Sequence, residues 1–125
     1  MITKPTVLLV DDEPAIHTPL KMLLARLGFE TVSAHSGAEA LKGFDGRQFQ
    51  FVITDYSMPE MNGLELAIAI KAKAPRIPVL LLTAYAEQFR SQAPITAIDM
   101  ILLKPISLQE FQKAIALITQ PAALG

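Results

Sequence analysis

The sequence has no cysteine, so neither disulfides nor thiolate metal ligands enter its design, which suits a reducing compartment and points to the cytoplasm. Charge is sparse as well. Only 18% of the 125 residues are charged, and eleven basic against twelve acidic side chains leave a formal net charge of −1. No cluster of Lys or Arg is available to neutralise a phosphate backbone, which argues against direct nucleic-acid binding. Long apolar runs are missing too: Met1-Ile2-Thr3-Lys4-Pro5 leads into a short apolar stretch, Thr6 to Val10, that stops at Asp11 and Asp12. That is far too short for a signal peptide or a membrane span, so a soluble chain with no membrane partner is expected. The six glycines and nine prolines are scattered rather than gathered into a linker, and no internal repeat or low-complexity segment is visible. With 51% hydrophobic residues, this length predicts one domain over residues 1–125, its ordered core running from about residue 5 to about 120.

Thr6–Val10, Phe51–Ile53, Val79–Leu82 and Met100–Leu103 are mostly continuous apolar runs, the pattern of strands covered on both faces in a parallel sheet. Phe29–Ser33 is a weaker run suited to an edge. Ile16, Leu20, Leu23, Leu24 and Leu27 repeat at helical spacing before a capping Gly28, with Pro19 expected to kink that helix or delay its start. Ser36 with Glu39 and Ser107 with Glu110 match the capping box, and Asn62 with Glu65 is a looser version. Helices are predicted over Ser36–Phe44, Gly63–Ala74, Ala86–Gln92 and Leu108–Ile118. Five alternating strand and helix units predict an α/β fold, a doubly wound five-stranded parallel sheet with the flavodoxin-like order 2-1-3-4-5 and five helices. Its functional site belongs beyond the carboxyl ends of the strands.

Those ends are polar. The first strand finishes in Asp11-Asp12-Glu13, the third in Asp55, the fourth in Thr83 and the fifth in Lys104-Pro105. Carboxylates gathered on one edge repel each other unless cations share the site. Lys104 supplies one positive charge, and Mg2+, a hard ion held by one or two carboxylates, is the natural second. A carboxylate, a magnesium ion, an ammonium and a hydroxyl are the components of phosphoryl transfer, where catalysis is mostly positioning and charge stabilisation. His17 and His35 are separated by a whole helix and lack a metal-ligand pattern, so surface roles are expected for both. The scattered Met residues are read as gap-fillers or loop anchors.

Four segments, Val7-Leu8-Leu9-Val10-Asp11-Asp12-Glu13, Asp55-Tyr56-Ser57-Met58-Pro59-Glu60-Met61-Asn62-Gly63, Thr83-Ala84-Tyr85 and Lys104-Pro105, are in order and spacing similar to the receiver domain of two-component response regulators, over nearly the whole chain. The resemblance implies a phospho-accepting signalling switch rather than an enzyme, one that assists its own phosphorylation and dephosphorylation. Asp55 would take the phosphoryl group from a phosphohistidine of a sensor histidine kinase or histidine phosphotransfer protein. Asp12, Asp55 and the backbone carbonyl of Ser57 would hold Mg2+, with Asp11 acting mainly through a water on the metal. Thr83 would bond a phosphoryl oxygen, Lys104 would pair with its charge, and the altered surface would control a downstream protein.

Three other functions share parts of this pattern. A flavodoxin-like electron carrier needs a phosphate-cradling first loop, which Asp11-Asp12-Glu13 would repel. A carboxylate-nucleophile phosphatase also passes through an aspartyl phosphate, but the sequence lacks an Asp-x-Asp arrangement and a cap insertion. A pseudo-receiver would bind partners without phosphorylation, yet all the expected site residues are present. Departures from the family fall on the relay side: Ile101 stands where Tyr or Phe is usual, and Ala97-Ile98 where Gly-Ala is common.

Overall fold

The computed structural model describes residues 4–84 and 96–119. Strands β1 (Thr6–Val10), β2 (Glu30–Ala34), β3 (Phe51–Asp55), β4 (Val79–Thr83) and β5 (Met100–Leu103) form one sheet, parallel throughout, in the order 2-1-3-4-5. Around it lie helices α1 (Pro14–Arg26), α2 (Gly37–Leu41), α3 (Gly63–Lys73) and α4 (Leu108–Ile118), with one 3-10 turn at Gly46–Gln48. The helix predicted over Ala86–Gln92, and Tyr85 before it, lie outside the described residues.

Continuous apolar strands follow from coverage on both faces. Val7 and Leu9 join Phe51, Ile53, Leu80 and Leu82 in a core closed by Leu20, Leu23 and Leu24 of α1 and Phe111, Ala114 and Ile115 of α4. Leu8, Val10 and Val52 point the other way, into a core with Ala40 of α2 and Leu66, Ala67 and Ile70 of α3. Each fully buried Leu, Ile or Phe contributes roughly 1.5–3 kcal/mol by removal from water. Phe51 also meets the edge of Phe29, with centroids 5.3 Å apart at 80°. Of the two edge strands, β2 alternates exposed and partly covered residues while β5 is partly covered up to an exposed Leu103, and β2 lies one residue later than its apolar run suggests.

Helix ends differ from the sequence expectation in instructive ways. Pro19 does not delay α1, which already begins at Pro14 and runs through it. Proline is well suited to the first turn, where its missing N–H is not needed, and Pro19 forfeits one bond inside the helix. Helix α2 ends at Leu41, short of Phe44, because the chain leaves helical geometry at Lys42 and Gly43 takes a left-handed φ of 71°. Asn62 and Glu65 form the complete reciprocal capping box. Ser36 and Ser107 each accept from the amide three residues on, but the Glu39 carboxylate turns to the amide of His35 instead of Ser36.

One glycine fixes how closely α3 approaches β3. A Cβ on Gly63 would run into the backbone carbonyl of Asp55 and come within 2.7 Å of Leu81 Cδ1. Backbone cannot yield as a flexible side chain can, so Gly63→Ala should destabilise the protein by about 1–3 kcal/mol. Urea denaturation measures this, and an unchanged midpoint would show that the contact relaxes freely.

Candidate functional site

The parallel register brings the polar strand ends together. Val10 pairs with Thr54, so Asp11 and Asp55 follow on neighbouring strands. Asp11 is fully buried, Asp55 is 5% exposed and Thr83, at the end of β4, is 2% exposed; Asp12 is exposed. Carboxylate oxygens of Asp11, Asp12 and Asp55 all lie within 4.8 Å of one another. Lys104 leaves the end of β5 and places Nζ 2.6 Å from Asp55 Oδ1 and 3.9 Å from Asp11 Oδ2. Ser57 lies exposed in the loop between β3 and α3, two residues beyond Asp55.

Backbone bonds hold these loops to the sheet. The amide of Tyr56 donates to the carbonyl of Leu82, that of Gly63 to Tyr56, and that of Lys104 to Thr83. The amide of Glu13 donates to Asp11 Oδ1 at 2.9 Å. Between Pro59 and Met61 the chain turns at Glu60, whose φ is 69°.

Electrostatics in the site are unbalanced. Burial pushes the carboxyl of Asp55 above its ordinary value, against the hydrogen bond and charge of Lys104, while the charges of Asp12 and Glu13 push it further. Asp11 is raised for the same first reason, opposed by its bond from Glu13 and reinforced by Asp55. Lys104 loses hydration on burial, but its bond to Asp55 and the carboxylates around it more than offset that and raise its pKa. One ammonium faces three carboxylates. Asp11 Oδ2 is buried without a hydrogen-bond partner among the described residues, and an all-oxygen anionic donor set fits a hard divalent cation.

Of the residues marked out by sequence, the structure brings Asp11, Asp12, Asp55 and Lys104 into one cluster and puts Thr83 at the adjoining strand end. The expectation of surface roles for both histidines fails for His17. It is 5% exposed, and Nε2 donates to the carbonyl of Asp11 at 2.7 Å. Its ring lies against that of His35, which is exposed, with centroids 4.7 Å apart at 52°. His17 occupies the same helical phase as Leu20 and Leu24, and that phase was the available signal.

A sequence model of the family described as "Response regulator receiver domain" matches residues 7–116. The chemotaxis protein CheY of Pseudomonas aeruginosa is 33% identical over 113 residues, covering 87% of this chain and 91% of that protein. The transcriptional regulatory protein ZraR of Escherichia coli O157:H7 is 36% identical over 107 residues, covering 85% of this chain but 24% of ZraR. The chain thus spans about a quarter or less of the first curated relatives it matches. Because several are named transcriptional regulators, the expectation of no nucleic-acid contact, drawn from this chain's charge, does not extend to them. Among solved structures, the response regulator TrrA of Thermotoga maritima in complex with Mg2+ and BeF superimposes with a TM-score of 0.80 at 34% identity, covering 91% of this chain and 98% of that one. TrrA in complex with the histidine kinase ThkA gives 0.79 at 33%, covering 93% and 99%. No helix among the described residues is long and apolar enough to cross a membrane.

The two raised carboxyls set a pH dependence. A group whose pKa is higher in the folded state favours folding at low pH, and that contribution is lost as pH rises through the raised carboxylate range. A divalent cation competes with the same protons, so excess Mg2+ should raise the melting temperature more at about pH 7.5 than at about pH 5. Thermal melts at both pH values check this; an equal or larger shift at the lower pH would remove the carboxylates from metal binding.

Proposed function

The chain belongs to the response regulator receiver domain family, and from that premise we propose that Asp55 is its phospho-acceptor, taking a phosphoryl group from the phosphohistidine of a kinase or phosphotransfer protein. The family's role is that of a regulatory phospho-accepting switch. The observation that carries the residue assignment is Lys104 Nζ at 2.6 Å from Asp55 Oδ1, at a strand end where three carboxylates meet. That pair sets a carboxylate nucleophile against an ammonium whose bond and charge oppose the rise in its pKa caused by burial.

In the reaction a carboxylate oxygen of Asp55 forms a bond to phosphorus as the phosphorus–nitrogen bond breaks, and the departing imidazole takes up a proton from solvent. Asp11, Asp12, Asp55 and the carbonyl of Ser57 would hold Mg2+, which when bound neutralises charge on the transferring group. Lys104 swings its ammonium from the free carboxylate to the phosphoryl oxygens, and Thr83 offers its hydroxyl to one of them. Attack of water on the same phosphorus breaks its bond to the Asp55 oxygen and releases inorganic phosphate, a step the domain would assist with the same Lys104 and Mg2+ charges. A kinase partner is supported by the ThkA complex of the similar TrrA. We assign the domain to residues 1–125 and to the cytoplasm, whose reducing conditions suit a chain without cysteine.

Incubation with Mg2+ and acetyl phosphate should add one phosphoryl group by intact-mass spectrometry, and Asp55→Asn should abolish it, because an amide is a poor nucleophile and forms no acyl phosphate. Full labelling of the Asn variant would place the acceptor elsewhere.

The relay side is expected to behave differently. Ile101 of β5 pairs with Leu81 of β4 and is partly buried. As a β-branched residue it is stiff at its first torsion, and it has no hydroxyl to exchange between core and solvent. With beryllofluoride bound, Thr83 should move toward Asp55 while Ile101 keeps its rotamer. Methyl NMR of the free and beryllofluoride forms measures this, and a rotamer change at Ile101 would show that it relays the signal after all.

A further inference from the structure

The acidic pocket leaves one buried titratable group unused. His17 Nε2 lies 2.7 Å from a backbone carbonyl, which can only accept, so Nε2 carries the proton and a neutral ring keeps its lone pair on Nδ1. That Nδ1 is buried and has no hydrogen-bond partner among the described residues. A buried polar atom left this way is costly unless something meets it.

Its neighbour is a second imidazole. The centroids of His17 and His35 are 4.7 Å apart and their planes are tilted by 52°. Two imidazoles bound to one ion at about 2.0–2.1 Å put their centroids about 4.5–5.2 Å apart for nitrogen–metal–nitrogen angles between 90° and tetrahedral. The observed spacing lies inside that range. A ligating histidine also generally donates its other ring N–H to a carbonyl or carboxylate, which fixes the tautomer, and the bond from His17 Nε2 to Asp11 does this already. His35 is exposed, and turning a ring nitrogen inward would complete the pair, while the carboxylate of Glu39, bonded to the His35 amide at 3.1 Å, adds negative charge close by.

We propose that His17 Nδ1 and a ring nitrogen of His35 form a binding site for a borderline transition-metal ion of the Cu2+, Ni2+ or Zn2+ class, with water completing the coordination, separate from the oxygen-lined Mg2+ pocket. Imidazole selects these ions, whereas Mg2+ takes carboxylate, carbonyl and water. The spacing that hid the pair in the sequence is closed by the fold, which lays the first turns of α1 against the end of β2.

Electron spin-echo modulation of bound Cu2+ counts coordinated imidazoles, and this chain has only two histidines, so the count identifies the ligands in the untagged protein. Cu2+ should bind with two imidazoles in excess Mg2+, and equally in Asp12→Ala, whose acidic pocket is weakened. His35→Ala, a change at an exposed position, should leave one imidazole and weaken binding roughly tenfold or more, since loss of a group that merely orients a ligand already costs 10–100-fold. Fewer than two imidazoles in the wild type, a two-imidazole signal lost in Asp12→Ala, or unchanged Cu2+ affinity in His35→Ala would each overturn the proposal and leave the rings as a packing pair.

Discussion

The pairing of β1 with β3 is the contact on which the rest of the molecule depends. These strands are 40 residues or more apart in sequence, yet their register sets Val10 beside Thr54, and Asp11 and Asp55 must then emerge next to each other. Crossing from β1 through α1 to β2 on one side, and from β3 through α3 to β4 on the other, makes this the point where strand order reverses,. Beyond it, side chains of the two crossing loops converge with no strand to fill the gap. A slip of one residue in that register would turn Asp11 or Asp55 into the other face of the sheet, so the two apolar cores that fix the register also fix the chemistry.

Convergence has an electrostatic consequence that the fold leaves uncorrected. Lys104 comes from β5, two strands away from β3, a distance of about 9.5 Å at ordinary strand spacing. Only a long side chain crosses β4 to reach Asp55, and a single ammonium cannot compensate three carboxylates. Burial therefore raises the carboxyls of Asp11 and Asp55 in spite of Lys104. The free protein carries this destabilisation at the carboxyl edge of its sheet, and a cation or phosphoryl group bound there would rearrange the same few charges. A site that was already neutral would have less to gain from either event, and therefore less with which to bias the surrounding loops.

The histidine pair depends on this arrangement too. His17 sits one turn into α1, and its bond to the Asp11 carbonyl ties that helix to the first acidic loop. An ion bound at its second nitrogen would be one hydrogen bond from the backbone of Asp11.

Much of this was legible in the residues themselves. Continuous apolar runs at Thr6–Val10 and Met100–Leu103, the capping pattern of Ser107 with Glu110 and polar residues at the strand ends are local patterns, and they located the strands to within a residue or two, the parallel sheet and the acidic edge. Tertiary structure alone decided the rest, because it turned on contacts between distant segments. Helical phase turned His17 inward, but only the packing of α1 against β2 set it beside His35. Which carboxylate Lys104 meets at 2.6 Å depends on its crossing of β4. Which cap closes fully depends on where Glu39 finds its amide. Periodicity reports which face of an element is buried; it carries no information about what is buried against it, and the chemistry of this site lies in those neighbours.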